Sequence, residues 1–82
     1  MDIRILFLGE LGARFGREHV LEHTTGLTVG ELRRRLGDRI DGAGPALSRP
    51  DVRLAVDQAV VPDSAAVRPG AEVAVLPIVS GG

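Results

Sequence analysis

The stretch "PIVSGG" at positions 77–82 is where this sequence comes closest to reactive chemistry. A C-terminal glycine carboxylate is a poor electrophile, because its oxygens are anionic and neither leaves readily. Replacing one oxygen by AMP, drawn from ATP, gives an acyl-adenylate that a sulfur or nitrogen nucleophile can attack. Glycine leaves the acyl carbon unshielded. Gly81 and Gly82 also give the narrowest backbone, able to enter a tunnel where a methyl group would collide. At ~3.3 Å per residue the arm from Pro77 to Gly82 reaches roughly 20 Å. Pro77 biases Leu76 towards extended geometry and cannot donate to a sheet ladder. Gly82 is therefore the candidate reactive residue, and Gly81, Ser80, Val79, Ile78 and Pro77 form the flexible arm that would deliver it.

Other groupings are weaker. His19 and His23 share one face of an extended segment but sit about 13 Å apart, too far for one ion held at ~2.1 Å from each nitrogen. They read as an exposed or edge pair. Arg33, Arg34 and Arg35 fan around a helix and read as solvated face, with no aromatic platforms for single-stranded nucleic acid. Ser48 and Ser64 lie in no nucleophile-elbow pattern. Gly9, Gly12 and Gly16 read as turn residues rather than a phosphate cradle.

Composition narrows the chemistry further. There is no cysteine and, since every basic residue is Arg, no lysine. A thiolate nucleophile, a disulfide and a persulfide are excluded, and no side-chain amine can attack an activated terminus. A net charge of −1 supplies no field for a polyanion. No apolar run approaches the ~20 residues of a membrane span, and a cytoplasmic location is expected. The chain is poorly equipped to be an autonomous enzyme.

The elements that must position the tail follow from periodicity. "DIRILFL" alternates, with Ile3, Ile5 and Phe7 on one face and Arg4, Leu6 and Leu8 on the other. "EHVLEH" is a second, weaker strand. "TVGELRRRLGDRI" predicts a helix: Thr28 and Glu31 make a capping box, and Val29, Leu32, Leu36 and Ile40 form one apolar stripe. "DGAGPALSRP" reads as loop. "VRLAVDQAVV" predicts a hairpin turning at Asp57-Gln58, and Pro69-Gly70 suits a type II turn. "AEVAVLP" is the last strand, stopped by Pro77. Strand, strand, helix and three more strands make an α+β domain, residues 1–76. The expected arrangement is a β-grasp (ubiquitin-like) mixed sheet of four or five strands, with one main helix on one face and the arm, 77–82, beyond it.

If the first and last strands are adjacent, Leu6, Leu8, Ala74 and Leu76 point away from the helix and, with Val60, expose an apolar patch beside the arm. Such patches mark partner interfaces.

"VAVLPIVSGG", "IRILFLG", "TVGELRRRL" and "RLAVDQAVV" together resemble the small subunit of molybdopterin synthase, a ubiquitin-like sulfur carrier, over essentially the whole chain. The resemblance implies that Gly82 carries a thiocarboxylate. This would be made through an acyl-adenylate by a ubiquitin-activating-enzyme-like adenylyltransferase that consumes ATP, with sulfur from a donor system. It implies that residues 77–81 thread into the large subunit's active site, and that Leu8, Val60 and Leu76 contact that subunit. The product would be the dithiolene of molybdopterin, made from cyclic pyranopterin monophosphate within a heterotetramer. No bound cofactor, metal, nucleic acid or membrane is implied. Three alternatives stay open: a carrier for thiazole, cysteine or transfer-RNA thiolation; a protein modifier joined to lysine; and a β-grasp binding module working through its Arg-rich helix.

Overall fold

The structure is a computed structural model and describes residues 1–77. Its elements are β1 (Asp2–Phe7), α1 (Glu10–Phe15), β2 (Glu18–Glu22), α2 (Val29–Arg39), α3 (Ala43–Leu47), β3 (Val52–Val56), β4 (Ala59–Val60) and β5 (Glu72–Pro77). Five strands form one sheet in the order β2-β1-β5-β3-β4. β5 lies in the middle, parallel to β1 and antiparallel to β3. The first and last strands are thus neighbours, as their apolar content predicts, and the β-grasp arrangement is the observed fold.

Alternation along the strands decides which face is covered. Ile3, Ile5, Phe7, Leu54, Val73 and Val75 point to the helix side and are almost fully buried, where they meet Val29, Leu32 and Leu36 of α2. Each such side chain contributes ~1.5–3 kcal/mol relative to leaving it in water. Ile40, the expected end of the stripe, is only half-buried and caps the helix.

The start of α2 shows why a short helix holds. Thr28 Oγ1 accepts the Glu31 N–H at 3.3 Å, the predicted cap. The Val29 and Gly30 N–H groups donate to the Ala65 and Asp63 carbonyls, both at 2.9 Å. Helix N–H groups that the helix itself leaves orphaned are therefore satisfied by the chain returning from β4. The glycines that weaken α2 on propensity have a packing reason. A Cβ on Gly37 would stand 3.0 Å from the Gly44 Cα of α3, so the two helices approach backbone to backbone.

Three sequence expectations need correction. "DGAGPALSRP" contains α3, entered through Gly42 in the left-handed region (φ 79°). Glycine and proline content argued for loop, but burial of Ala43, Ala46 and Leu47 against the core outweighs propensity. Arg33 is not solvated, as described below. Pro77 ends the last strand as expected, but it belongs to the sheet and not to the segment beyond it, being the final residue of β5, in register with Val52.

The Asp57-Gln58 hairpin is present, with both residues at positive φ (49° and 74°), the primed-turn geometry that usually selects Gly. Asp57 has compensating bonds. Its N–H donates to the Glu72 carbonyl (2.8 Å), its Oδ1 accepts the Glu72 N–H (3.2 Å) and its Oδ2 accepts Arg68 Nε (2.8 Å). At Pro69-Gly70 the turn closes with the Ala71 N–H on the Arg68 carbonyl (3.2 Å) and Gly70 at φ 78°.

Candidate functional site at the root of the C-terminal arm

The face of the sheet away from α2 divides into a charged half and an apolar half. In the charged half Arg4 lies between Glu18 on β2 (2.8 Å) and Glu72 on β5 (3.3 Å). The hydrogen bond from Arg4, and then its charge, hold the Glu18 carboxyl below its ordinary range. Asp57 is lowered mainly by the Glu72 N–H and further by Arg68. These groups neutralise one another within the sheet.

The apolar half lies at the C-terminal end of β5. Leu6 is in register with Ala74, Ala74 with Ala55, and Ala55 with Val60, so all four share the outer face. Leu76 lies one pleat beyond Ala74, opposite Arg53. Leu8 follows β1, its N–H donating to the Val75 carbonyl at 3.0 Å. Leu8 is 43% exposed and Val60 55%, while Leu6, Ala74 and Leu76 are half-buried. The structure therefore brings together Leu6, Leu8, Ala74, Leu76 and Val60. Ala55, which links Val60 to the rest, was missed, although "RLAV" places it on the face of Arg53.

A cavity of about 360 Å³ opens beside the patch, lined by Leu6, Phe7, Leu8, Gly9 and Arg17. Gly9 borders the arm root. It adopts φ 60° and ψ −141°, a region that side chains avoid, and a Cβ there would lie 3.5 Å from Pro77 Cγ. Its positive φ is what calls for glycine as the chain turns into α1 beside Pro77. The candidates Ile78, Val79, Ser80, Gly81 and Gly82 lie outside the described residues.

The weaker groupings resolve into structural roles. His19 Nε2 bonds the Phe15 carbonyl (2.8 Å), with its ring edge-on to Phe7. His23 Nε2 bonds the Val67 carbonyl (2.7 Å). Among the described residues no cluster of three potential ligands could hold a metal. The arginine triplet splits three ways. Arg33 Nη1 donates to the Leu47 and Val52 carbonyls (2.6 and 2.8 Å), and its Nη2 lies 3.3 Å from Asp63. Arg34 is exposed near Glu31, and Arg35 bonds the Glu22 carbonyl and Thr24. The Ser48 hydroxyl donates to the Gly44 carbonyl. Among the described residues no helix is long and apolar enough to cross a membrane.

The sequence pattern of the ThiS family matches residues 5–82, nearly the whole chain. The chain belongs to the ThiS family. As a ThiS-family protein it is a ubiquitin-like sulfur carrier. No curated protein matches the sequence. Among solved structures, this ThiS-family chain is similar to a Pyrococcus furiosus protein described as subunit 1 of a molybdopterin converting factor. The TM-score is 0.82 at 19% identity, covering 96% of this chain and 99% of that one. It is also similar to SAMP1 from Haloferax volcanii, with a TM-score of 0.78 at 22% identity over the full length of both chains. The solution structure of the Haloferax volcanii HVO 2177 protein matches with a TM-score of 0.76 at 21% identity, covering 100% of this chain and 87% of that one. At these identities the likeness establishes the fold.

Proposed function

We propose that this sulfur carrier is the small subunit of molybdopterin synthase, with Gly82 as its reactive residue. The observation that carries the reading is the outer face of β1 and β5. Leu6, Leu8, Ala74 and Leu76 form one apolar surface at the point where β5 hands over to "IVSGG". A catalytic partner docked there would receive the tail at a fixed origin. The remaining residues, 78–82, would span the distance to its active site, and Gly81 and Gly82 would fit a passage too narrow for side chains.

In this scheme the carrier holds the reacting group and its partners hold the catalytic groups. A ubiquitin-activating-enzyme-like adenylyltransferase joins the Gly82 carboxylate to AMP, releasing pyrophosphate from ATP. Sulfide-level sulfur from a donor system then attacks the acyl carbon, AMP leaves, and a thiocarboxylate remains. In the large subunit that sulfur passes to cyclic pyranopterin monophosphate, water restores the Gly82 carboxylate, and two carrier turnovers supply one dithiolene. A chain without cysteine has no side chain to hold sulfur, and one without lysine has none to intercept the acyl-adenylate.

The likeness to a molybdopterin converting factor subunit supports this acceptor. A second reading, a protein modifier whose Gly82 is joined to lysine, is favoured by the likeness to the small archaeal modifier protein 1 of Haloferax volcanii. Intact-mass measurement after incubation with ATP, the activating enzyme and a sulfur donor separates the two. Exchange of one oxygen for sulfur at the terminus is expected, followed by its loss on adding the large subunit and cyclic pyranopterin monophosphate. A ladder of lysine-linked adducts would favour the modifier. An unchanged mass with every activating enzyme would defeat both.

A further inference from the structure

Among the described residues most arginines have an intramolecular partner or position that accounts for them. Arg4, Arg34, Arg49 and Arg68 pair with acids, and Arg33 bonds two carbonyls and Asp63. Arg35 bonds a carbonyl and a hydroxyl, and Arg14 lies 4.7 Å from the centre of the Phe15 ring. Arg39 is in the last turn of α2, where a cation complements the helix dipole. Arg17 and Arg53 remain. Both are exposed, and among the described residues neither side chain has an ion pair or hydrogen bond.

Their positions are not scattered. The Arg17 backbone carbonyl accepts the Phe7 N–H at 2.8 Å, and its side chain lines the cavity with Leu6 and Leu8. Arg53 is on β3, opposite Leu76. In the strand order, Arg17 therefore lies outside β1, its stem against Gly12 of α1 and its side chain bordering the cavity, and Arg53 lies outside β5, one on each side of the apolar patch. Three inter-strand spacings, about 15 Å, separate the two backbones. The acids at this end do not cancel them. Asp51 is engaged by Arg49 in a two-pronged pair (3.0 and 2.6 Å), and Glu10 is near enough to add to the field at Arg49. Glu18, in register with Leu6 at the edge of the patch, is engaged by Arg4 (2.8 Å), which Glu72 also pairs (3.3 Å). The protein as a whole carries −1, so two cations without a side-chain partner at this end of the sheet run against its overall balance.

We infer that Arg17 and Arg53 are docking cations that flank the apolar patch, and that the activating enzyme carries carboxylates on both sides of the apolar surface that meets it. The inference rests on the carrier reading and adds to it the chemistry of the partner. Exposed rim charges of this kind steer encounter and fix orientation more than they add raw affinity. Two cations on opposite flanks set the rotation of the carrier about the arm axis, which an apolar patch alone leaves loose. The activating enzyme is the partner of choice for a test, because its reaction gives a kinetic signal for productive docking.

Carrier-dependent ATP–pyrophosphate exchange by the activating enzyme supplies the measurement, with full-length carrier varied in concentration. Arg17→Glu combined with Arg53→Glu is expected to raise the carrier KM about tenfold or more with kcat little changed, and each single change less. Arg17→Lys with Arg53→Lys should stay near wild type, as should Arg39→Glu, a reversal on the helix side. Ionic strength well above physiological should raise the wild-type KM and lower that of the doubly reversed variant, whose repulsion it screens. Circular-dichroism melting confirms that each variant is folded. An unchanged KM in the folded double reversal would overturn the inference while the carrier reading stands, and so would an equal loss in Arg39→Glu. Loss of inorganic phosphate binding in the same variants, with KM unchanged, would replace the protein partner by a small anion. Failure of the wild type to support exchange would defeat the carrier reading itself and this inference with it.

Discussion

The Arg33 guanidinium donates to the Val52 carbonyl at 2.8 Å and with the same nitrogen to the Leu47 carbonyl at 2.6 Å. This side chain, 16% exposed, ties α2 to the end of α3 and the start of β3, at the edge that two-residue β4 is too short to cover. It does for β3 what a longer neighbouring strand would do.

Arg33→Leu should therefore strip two carbonyls of their donor and cost about 2–3 kcal/mol. Arg33→Lys should recover only part, because a point donor on a single stem replaces the planar fork less well. Urea unfolding checks both. A loss within 0.5 kcal/mol of wild type for Arg33→Leu, the range of ordinary surface changes, would contradict the stapling role.

Gly37→Ala runs against propensity. In a free helix this change stabilises by about 1 kcal/mol. Here the new methyl would meet the Gly44 Cα at 3.0 Å, so α2 and α3 would have to separate. Gly44→Ala, whose nearest contact is 3.8 Å, should be tolerated. Thermal melting should show a lower midpoint for the first variant and an unchanged or higher one for the second.

Acid should loosen the outer face. Glu18, Asp51 and Asp57 have carboxyl groups held below their ordinary values by Arg4, by Arg49 and by the Glu72 N–H with Arg68, respectively. Between unfolded and folded values the unfolded chain binds more protons. Their stabilisation is thus complete above the ordinary carboxylate range, about pH 4, and fades as pH falls through the depressed values. Melting midpoints measured downward from neutral pH should drop in this window. Arg4→Gln should lessen the drop by returning Glu18 towards its ordinary value.

Leu76→Asp separates docking from folding. Leu76 is half-buried on the outer face, so the aspartate can reach water and the domain should stay folded. Adenylation by the activating enzyme and co-purification of the large subunit should both be lost. Val73→Asp, which places a charge in the fully buried inner face, should unfold the domain instead. A folded Leu76→Asp carrier that still bound both partners would remove the outer face from the site.

Much of this was legible in the residue order. Period-2 alternation assigned the faces of β1 and β5, and with them the apolar patch, because strands buried on one side must alternate. The Thr28 cap and the Val29, Leu32, Leu36 stripe located α2. What escaped was held by tertiary contact. α3 has poor propensity and exists because Ala43, Ala46 and Leu47 find the core. Arg33 looks like its two neighbours in sequence, yet it lies four residues after Val29 and three before Leu36, on the margin of the buried stripe. That spacing was the available signal. Ala55 and Arg53 joined the site only through the β3–β5 register, which no local pattern specifies.

The central place of β5 has a consequence for when the carrier becomes recognisable. Its parallel neighbour β1 lies at the other end of the sequence, so their pairing requires most of the chain to be closed into one loop. Leu6 and Leu8 meet Ala74 and Leu76 only after that closure. A partly folded chain can expose its tail but has no assembled surface beside it. An enzyme that reads the surface before charging the glycine would spend ATP only on molecules that have finished folding.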